Sequence, residues 1–271
     1  MEQNKTYCRV LTIAGSDSGG GAGIQADLKT ISANGCYGMS VITALTAQNT
    51  LGVTGIHAVP VDFVAAQMEA VLGDIGVDAV KIGMLFSPEL IRTVADQLQK
   101  FAVTRIVLDP VMVAQSGDKL LQDEAIAALK QHLIPLAELI TPNLPEASVL
   151  LGREITVAAE IEAAAIELAG LGCDNVLIKG GHLESGDSDD CLYLGADRRI
   201  VTFPGLRIPT RNNHGTGCTL SSAIASFLAK GENMVTAVGM AKEYITGAIR
   251  AGADYRLGHG HGPVHHFFRF F

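Results

Sequence analysis

A doubly wound α/β architecture is what this sequence of 271 residues predicts: a mostly parallel central sheet flanked by helices, with a small hairpin at one edge. Short, nearly continuous apolar runs alternate with longer helical patterns along the chain, as expected of strands buried on both faces by crossover helices. Polar residues gather just beyond the ends of those runs, which is where open α/β sheets bind ligands. No linker, repeat or low-complexity block interrupts the alternation, so residues 1–271 read as a single domain.

Taken in order, the first strand falls at Val10–Ala14 and is followed by Gly15-Ser16-Asp17, and a helix is expected over Ala22–Asn34. The second strand, Met39–Leu45, leads to Gln48-Asn49, and a helix to Asp62–Leu72. Ala79–Ile82 carries Lys81 late and Gly83-Met84 beyond its end. Ser87 then caps a helix over Pro88–Phe101, with proline at the first helical position. Arg105–Leu108 ends in Asp109-Pro110, a helix follows at Asp123–His132, and Leu139–Thr141 ends in Pro142-Asn143. Ala158–Leu171 is helical, and Val176–Ile178 runs into Lys179-Gly180-Gly181. The close spacing of Cys191–Leu194 and Arg199–Phe203 gives the edge hairpin, and helices over Thr219–Lys230 and Met234–Ala251 complete the pattern.

Composition removes several function classes. Hydrophobic residues make up 48% and charged residues 18%, enough for a substantial core. No apolar run approaches the roughly 18 residues of a membrane span, and the N-terminus lacks the basic-then-apolar signal pattern. The five cysteines are scattered and form no C-x-x-C pair, which argues for a reducing, cytoplasmic setting without structural zinc. A net charge of −8 without a Lys/Arg run argues against nucleic acid, so an anionic ligand needs local N–H groups, a lysine or a metal ion.

The strongest motif is His214-Gly215-Thr216-Gly217-Cys218 running into Thr219-Leu220-Ser221-Ser222, a glycine-flanked turn opening a helix. Unpaired amides and the positive end of the helix dipole make such a tip an anion site, and a cysteine there is expected to have a lowered pKa. The glycine-rich Gly15–Gly23 segment is compatible with a relaxed dinucleotide fingerprint. That fingerprint wants an acidic residue about 20 positions on. No Asp or Glu stands between Asp27 and Asp62, and no Gly-Lys-Ser/Thr phosphate loop occurs anywhere. The glycines equally suit a backbone that approaches a small flat ligand. Asn143 with Glu146 three residues later is a capping box, and also a place for a magnesium shell in which Asp109 supplies the second carboxylate. Lys179 either snorkels to solvent or neutralises a phosphate at the strand end. Gln48 offers a donor and an acceptor side by side, which suits the edge of a heteroaromatic ring. The histidines of the Gly258–His266 tail match no standard metal site and read as a packed terminal segment.

Together these blocks resemble a known family. Thr12–Asp27, Thr46-Ala47-Gln48-Asn49-Thr50, Lys81-Ile82-Gly83-Met84-Leu85, Leu108-Asp109-Pro110-Val111-Met112, Ile140–Ala147, Lys179-Gly180-Gly181-His182 and His214–Thr219 look like the hydroxymethylpyrimidine/phosphomethylpyrimidine kinases of thiamin biosynthesis, in the ribokinase-like superfamily. The likeness covers nearly the whole chain, including the terminal Gly258–His266 block. It implies ATP with Mg2+, a homodimer, and two successive phosphorylations, of 4-amino-5-hydroxymethyl-2-methylpyrimidine and then of its monophosphate. Carried over, it implies that Gln48 bonds the pyrimidine while Asp27, Gly15, Met84 and Val111 line its pocket. Asp109, Asn143 and Glu146 would serve the metal and phosphate region, with Glu146 and Asp109 at the metal and Lys179 on the ATP phosphates. Gly215, Thr216 and Gly217 would form the anion hole. Cys218 stands where most sugar kinases of the superfamily place an aspartate base, and is expected either to take or orient the proton of the attacking hydroxyl or to be only a small packed residue. A pyridoxal kinase of the related branch and a non-catalytic pyrimidine sensor remain the competing readings.

Overall fold

The computed structural model describes residues 5–112, 123–181 and 188–271, and one sheet of 9 strands organises them in the order β3-β2-β1-β4-β5-β6-β7-β8-β9. The strands are β1 (Arg9–Asp17), β2 (Tyr37–Asn49), β3 (Gly52–Ala58), β4 (Ala79–Ile82), β5 (Ile106–Leu108), β6 (Leu139–Ile140), β7 (Asn175–Ile178), β8 (Asp190–Leu194) and β9 (Arg199–Phe203). The helices are α1 (Gly23–Ala33), α2 (Val61–Ala70), α3 (Pro88–Lys100), α4 (Asp123–Ala128), α5 (Leu144–Leu151), α6 (Ile161–Ala169), α7 (Thr216–Ala229) and α8 (Met234–Gly252). From β2 to β7 the pairing is parallel, while β3 runs antiparallel to β2 and the β8–β9 pair antiparallel to β7.

The apolar runs are continuous because alternate side chains enter two different cores. Leu11, Ile13, Val80, Ile82, Ile106 and Leu108 face the layer that contains α2–α6. Val10, Ala79, Val107, Leu139 and Leu177 face α1, α7 and α8. With both faces dry, period-2 alternation disappears from the sequence. The chain leaves β1 through α1 to β2 on one side and returns through β4 on the other. The sheet therefore reverses direction between β1 and β4, and a crevice opens at their carboxyl ends.

Several elements differ from the sequence reading. There is a hairpin at each edge: β3, with two glycines and mostly exposed side chains, carries too weak an apolar signal to be read, and it extends β2 to Asn49. Helix α5 follows the capping box read at Asn143, which forms as expected, with the Glu146 N–H donating to Asn143 Oδ1 and the Asn143 N–H to Glu146 Oε2, both at 2.8 Å. Helices α2 and α4 end in π-turns. Helix α7 begins at Thr216, earlier than the expected Thr219, because Gly215 serves as its N-cap at φ +80°. Ser87 caps α3 as read, accepting from the Leu90 N–H at 3.2 Å. His182 lies outside the described residues.

Candidate active site

A cavity of about 1050 Å3 opens along the carboxyl ends of the sheet, spacious enough for a nucleotide and a second small molecule. Its middle is the tip of α7. Gly215 is required there twice over: its φ of +80° is the left-handed region, and a Cβ on it would lie 1.8 Å from the Gly21 carbonyl oxygen. The N–H groups of Gly217 and Cys218 fall in the first helical turn, beyond reach of the helix's own carbonyls. Thr216 turns its hydroxyl back to the Asn213 carbonyl at 2.7 Å, which fixes the turn.

Facing that tip, β5, β6 and β7 deliver three charges. Lys179 Nζ donates to Asp109 Oδ1 at 2.7 Å and lies 3.8 Å from Glu146 Oε2. A Cβ on Gly217 would stand 3.3 Å from Lys179 Nζ and 3.5 Å from Asp109 Oδ2, so the ion pair lies directly beside the tip of α7. Asp109 also accepts from Thr141 Oγ1 at 3.1 Å and Ser221 Oγ at 3.4 Å. Burial acts to protonate Asp109, but Lys179 and Lys81 outweigh it and keep its pKa low. Glu146 is less well compensated: burial, helped by Asp109, pushes it up to about 7 against the pull of Lys179. Lys179 is raised, its two carboxylates overcoming its own desolvation.

The end of the cavity beside β1 holds Gly15, Met84, Val111 and Gln48. A Cβ on Gly15 would come within 3.1 Å of Met84 Cε, so the glycine leaves this wall flat. Asp27 was expected in that wall and stands behind it instead. It is fully buried and accepts from Lys81 Nζ at 2.9 and 3.0 Å, from Thr12 Oγ1 at 2.6 Å and from Ser222 Oγ at 2.7 Å. Lys81, contributed by β4, is the member of this cluster that borders the cavity. The expected depression of the Cys218 pKa is likewise overturned. Burial, with Asp27 and Asp109 nearby, pushes the thiol up to about 11 despite Lys81, so the residue is a neutral thiol near pH 7.

The opposite end was not read from the sequence. Leu206, Ile208, Ile245 and Ile249 make it apolar, and Lys242 of α8 supplies its charge. Lys242 Nζ donates to Asp190 Oδ2 at 2.6 Å, and Asp190 Oδ1 accepts the Gly180 N–H at 2.9 Å. The pair thereby holds the turn that follows Lys179. Its residues are isolated in sequence within a helix and a loop, and no motif marks them. Thr46, Asp17 and His214, gathered around Gln48, are further site residues whose role only the fold reveals.

The doubly wound sheet with its switch-point cavity places the molecule in the ribokinase-like class. A crystal structure of pyridoxal kinase from Bacillus subtilis in complex with ADP matches it with a TM-score of 0.90 and 38% identity, over 98% of this chain and 100% of that one. One of phosphomethylpyrimidine kinase from Clostridium difficile matches with a TM-score of 0.80 and 47% identity, over 89% and 99%. The sequence profile of the family described as Phosphomethylpyrimidine kinase matches residues 17–265. The hydroxymethylpyrimidine/phosphomethylpyrimidine kinase of Rhizobium meliloti is 54% identical, over 96% of this chain and 97% of that protein. A thiamine biosynthesis bifunctional protein of Geobacter sulfurreducens is 55% identical, but the chain spans only 52% of its length. The chain belongs to the phosphomethylpyrimidine kinase family.

Proposed function

We infer that this chain transfers the γ-phosphoryl group of ATP to the hydroxymethyl oxygen of 4-amino-5-hydroxymethyl-2-methylpyrimidine, and then phosphorylates the monophosphate to the diphosphate, in thiamin biosynthesis. The observation that carries this reading is the Lys179–Asp109 ion pair set directly against the glycine-opened tip of α7, midway between two differently built ends of one cavity. ADP and AMP-PCP complexes among the ribokinase-like neighbours support ATP as the donor.

Phosphoryl transfer needs placement and charge stabilisation more than covalent chemistry. The apolar end with Lys242 takes the nucleotide, and Gln48, Gly15, Met84 and Val111 hold the pyrimidine. The unpaired first-turn amides of Gly217 and Cys218, held by the turn that Gly215 and Thr216 form, receive the transferring group, and Lys179 exchanges its carboxylate partners for ATP phosphates. Asn143 holds Glu146 in place through the capping box. Among the described residues no cluster of three or more His, Cys, Asp or Glu forms a ready-made metal site. Glu146 and Asp109 fit Mg2+ nonetheless, since that ion takes one or two carboxylates and completes its shell with water and phosphate. They are the residues that would hold it, and the charge it supplies when bound would neutralise phosphate oxygens. A neutral Cys218 orients the attacking hydroxyl beside the α7 tip; the O–P bond forms as the bond to the ADP leaving group breaks, and the hydroxyl proton passes late to an oxygen of the transferred phosphoryl group.

The whole chain acts as one kinase domain, in the cytoplasm. A homodimer is favoured by the outer edge of β3, which no strand pairs among the described residues, with Ile56 exposed on it and Leu51 exposed in the turn before it. The test is ATP turnover against a panel of the hydroxymethylpyrimidine, its monophosphate and pyridoxal. Preferred turnover of both pyrimidines is expected. Preference for pyridoxal would move the chain to the neighbouring branch, and binding without turnover would make it a sensor.

A further inference from the structure

We propose that His214 and Asp17 fix the direction in which Gln48 presents its amide, and thereby make the site select a ring that carries an amino group beside an unprotonated ring nitrogen. The inference rests on the kinase reading above and adds to it the residues that set substrate choice.

The argument is proton bookkeeping. Asp17 is 3% exposed, and its Oδ1 accepts the Gly19 N–H at 2.8 Å, while Oδ2 accepts those of Gly21 at 3.0 Å and Ala22 at 2.8 Å. Burial opposes its ionisation, but His214 and these amides prevail, so the group is a carboxylate that only accepts. His214 Nε2 lies 2.9 Å from Asp17 Oδ2 and therefore carries a proton directed at it. Thr46 Oγ1, on the other side of Gln48, lies 2.9 Å from the carbonyl oxygen of Ser16 and spends its single proton there.

Gln48 stands between these two neighbours. With its amide nitrogen toward His214 Nε2, at 3.4 Å, two donors would face each other. With its oxygen toward Thr46 Oγ1, at 3.1 Å, the hydroxyl would need a second proton. Turning the amide end for end, which scarcely changes its shape, relieves both conflicts: the oxygen then faces the His214 Nε2–H as a second, longer acceptor of the proton directed at Asp17, and the nitrogen donates to Thr46 Oγ1. The remaining edge of Gln48 presents an acceptor on the His214 side and a donor on the Thr46 side.

That polarity places the ligand. An amino group pairs with the Gln48 oxygen and the adjacent ring nitrogen with its N–H. Because Gly215 directly follows His214, a hydroxymethyl group neighbouring the amine is brought to the anion loop. The 4-oxo analogue of the substrate presents the reverse order, an acceptor at the exocyclic position and an N–H in the ring.

The experiment compares kcat/KM for the 4-amino alcohol and its 4-oxo analogue in the native enzyme, His214→Phe and Thr46→Val, with thermal unfolding as the folding control. The native enzyme is expected to favour the amino compound by about a hundredfold or more, because a mismatched edge leaves polar groups unpaired. In His214→Phe the amide is free to turn, and the preference falls by about tenfold or more. Thr46→Val lowers it by a smaller factor and decides the matter alone if His214→Phe does not fold. Equal rate losses on both compounds, with the preference intact, would overturn the inference while leaving the kinase reading in place. A native enzyme that phosphorylates neither compound would overturn both.

Discussion

At the scale of single residues, two buried groups separate electrostatic from steric roles. Lys81 and Asp27 are both fully buried, joined at 2.9 Å, and lie on strand and helix elements far apart in sequence. Lys81→Met strands the Asp27 carboxylate in a dry core and is expected to cost about 3–5 kcal/mol in denaturant unfolding, whereas Lys81→Met with Asp27→Asn recovers most of that loss. Equal destabilisation of single and double variants would show that shape, not charge, matters there. Cys218 carries a second prediction. The first phosphorylation has an alcohol as nucleophile, and the second a phosphate already ionised near neutral pH. Cys218→Ala is therefore expected to slow the first step more than the second in single-turnover assays, and equal losses would remove the thiol from hydroxyl orientation. The types and order of Cys218, Gly215, Lys179 and Glu146 were legible in the sequence because they follow recognisable turns. The placement of Asp27 was not: a carboxylate one helical turn beyond the glycine loop looks like part of it, and only the packing of α1 on α7 directs it to Lys81.

At the scale of elements, the terminal segment matters most. A Cβ on Gly260 would lie 1.9 Å from the Thr50 carbonyl oxygen, the His261 N–H donates to that oxygen at 2.9 Å, and the His214 N–H donates to the Gly262 carbonyl at 3.0 Å. The tail therefore straps the β2–β3 turn, next to Gln48, to the turn that opens α7. It ends on His266, which is buried, lies 3.1 Å from Thr219 Oγ1, and has its pKa lowered to about 4 by burial and by Lys29 and neighbouring histidines. A histidine held neutral in the fold takes up its proton more readily once unfolded. Its stabilising contribution is thus complete above about pH 6.5 and is lost as the pH falls toward 4, amounting to roughly 3 kcal/mol. Urea unfolding between pH 7 and 4 should show this slope, and His266→Gln should flatten it. An unchanged slope in the variant would assign the pH dependence to other groups. The packing of the terminal segment is expected from the sequence. The sequence does not show which turn the glycines press against, since that contact joins positions about two hundred apart.

At the scale of the whole molecule, the chain carries a net charge of −8 yet is built to bind anions. The fold resolves this locally. Lys179, Lys81 and Lys242 all border the one cavity, each with a carboxylate partner, and the α7 tip adds uncharged donors. Alternation of apolar runs and helical patterns determined the doubly wound sheet by itself, because burying both faces of a parallel sheet leaves a compositional trace in every strand. Glycines at a helix start determined the tight turn into α7, because backbone torsions and close approaches are local demands. Tertiary structure alone decided which charges meet, that burial pushes the Cys218 thiol up, and that β3 lengthens the cavity wall. Those outcomes depend on distance and dielectric between segments remote in sequence, and no local pattern records them.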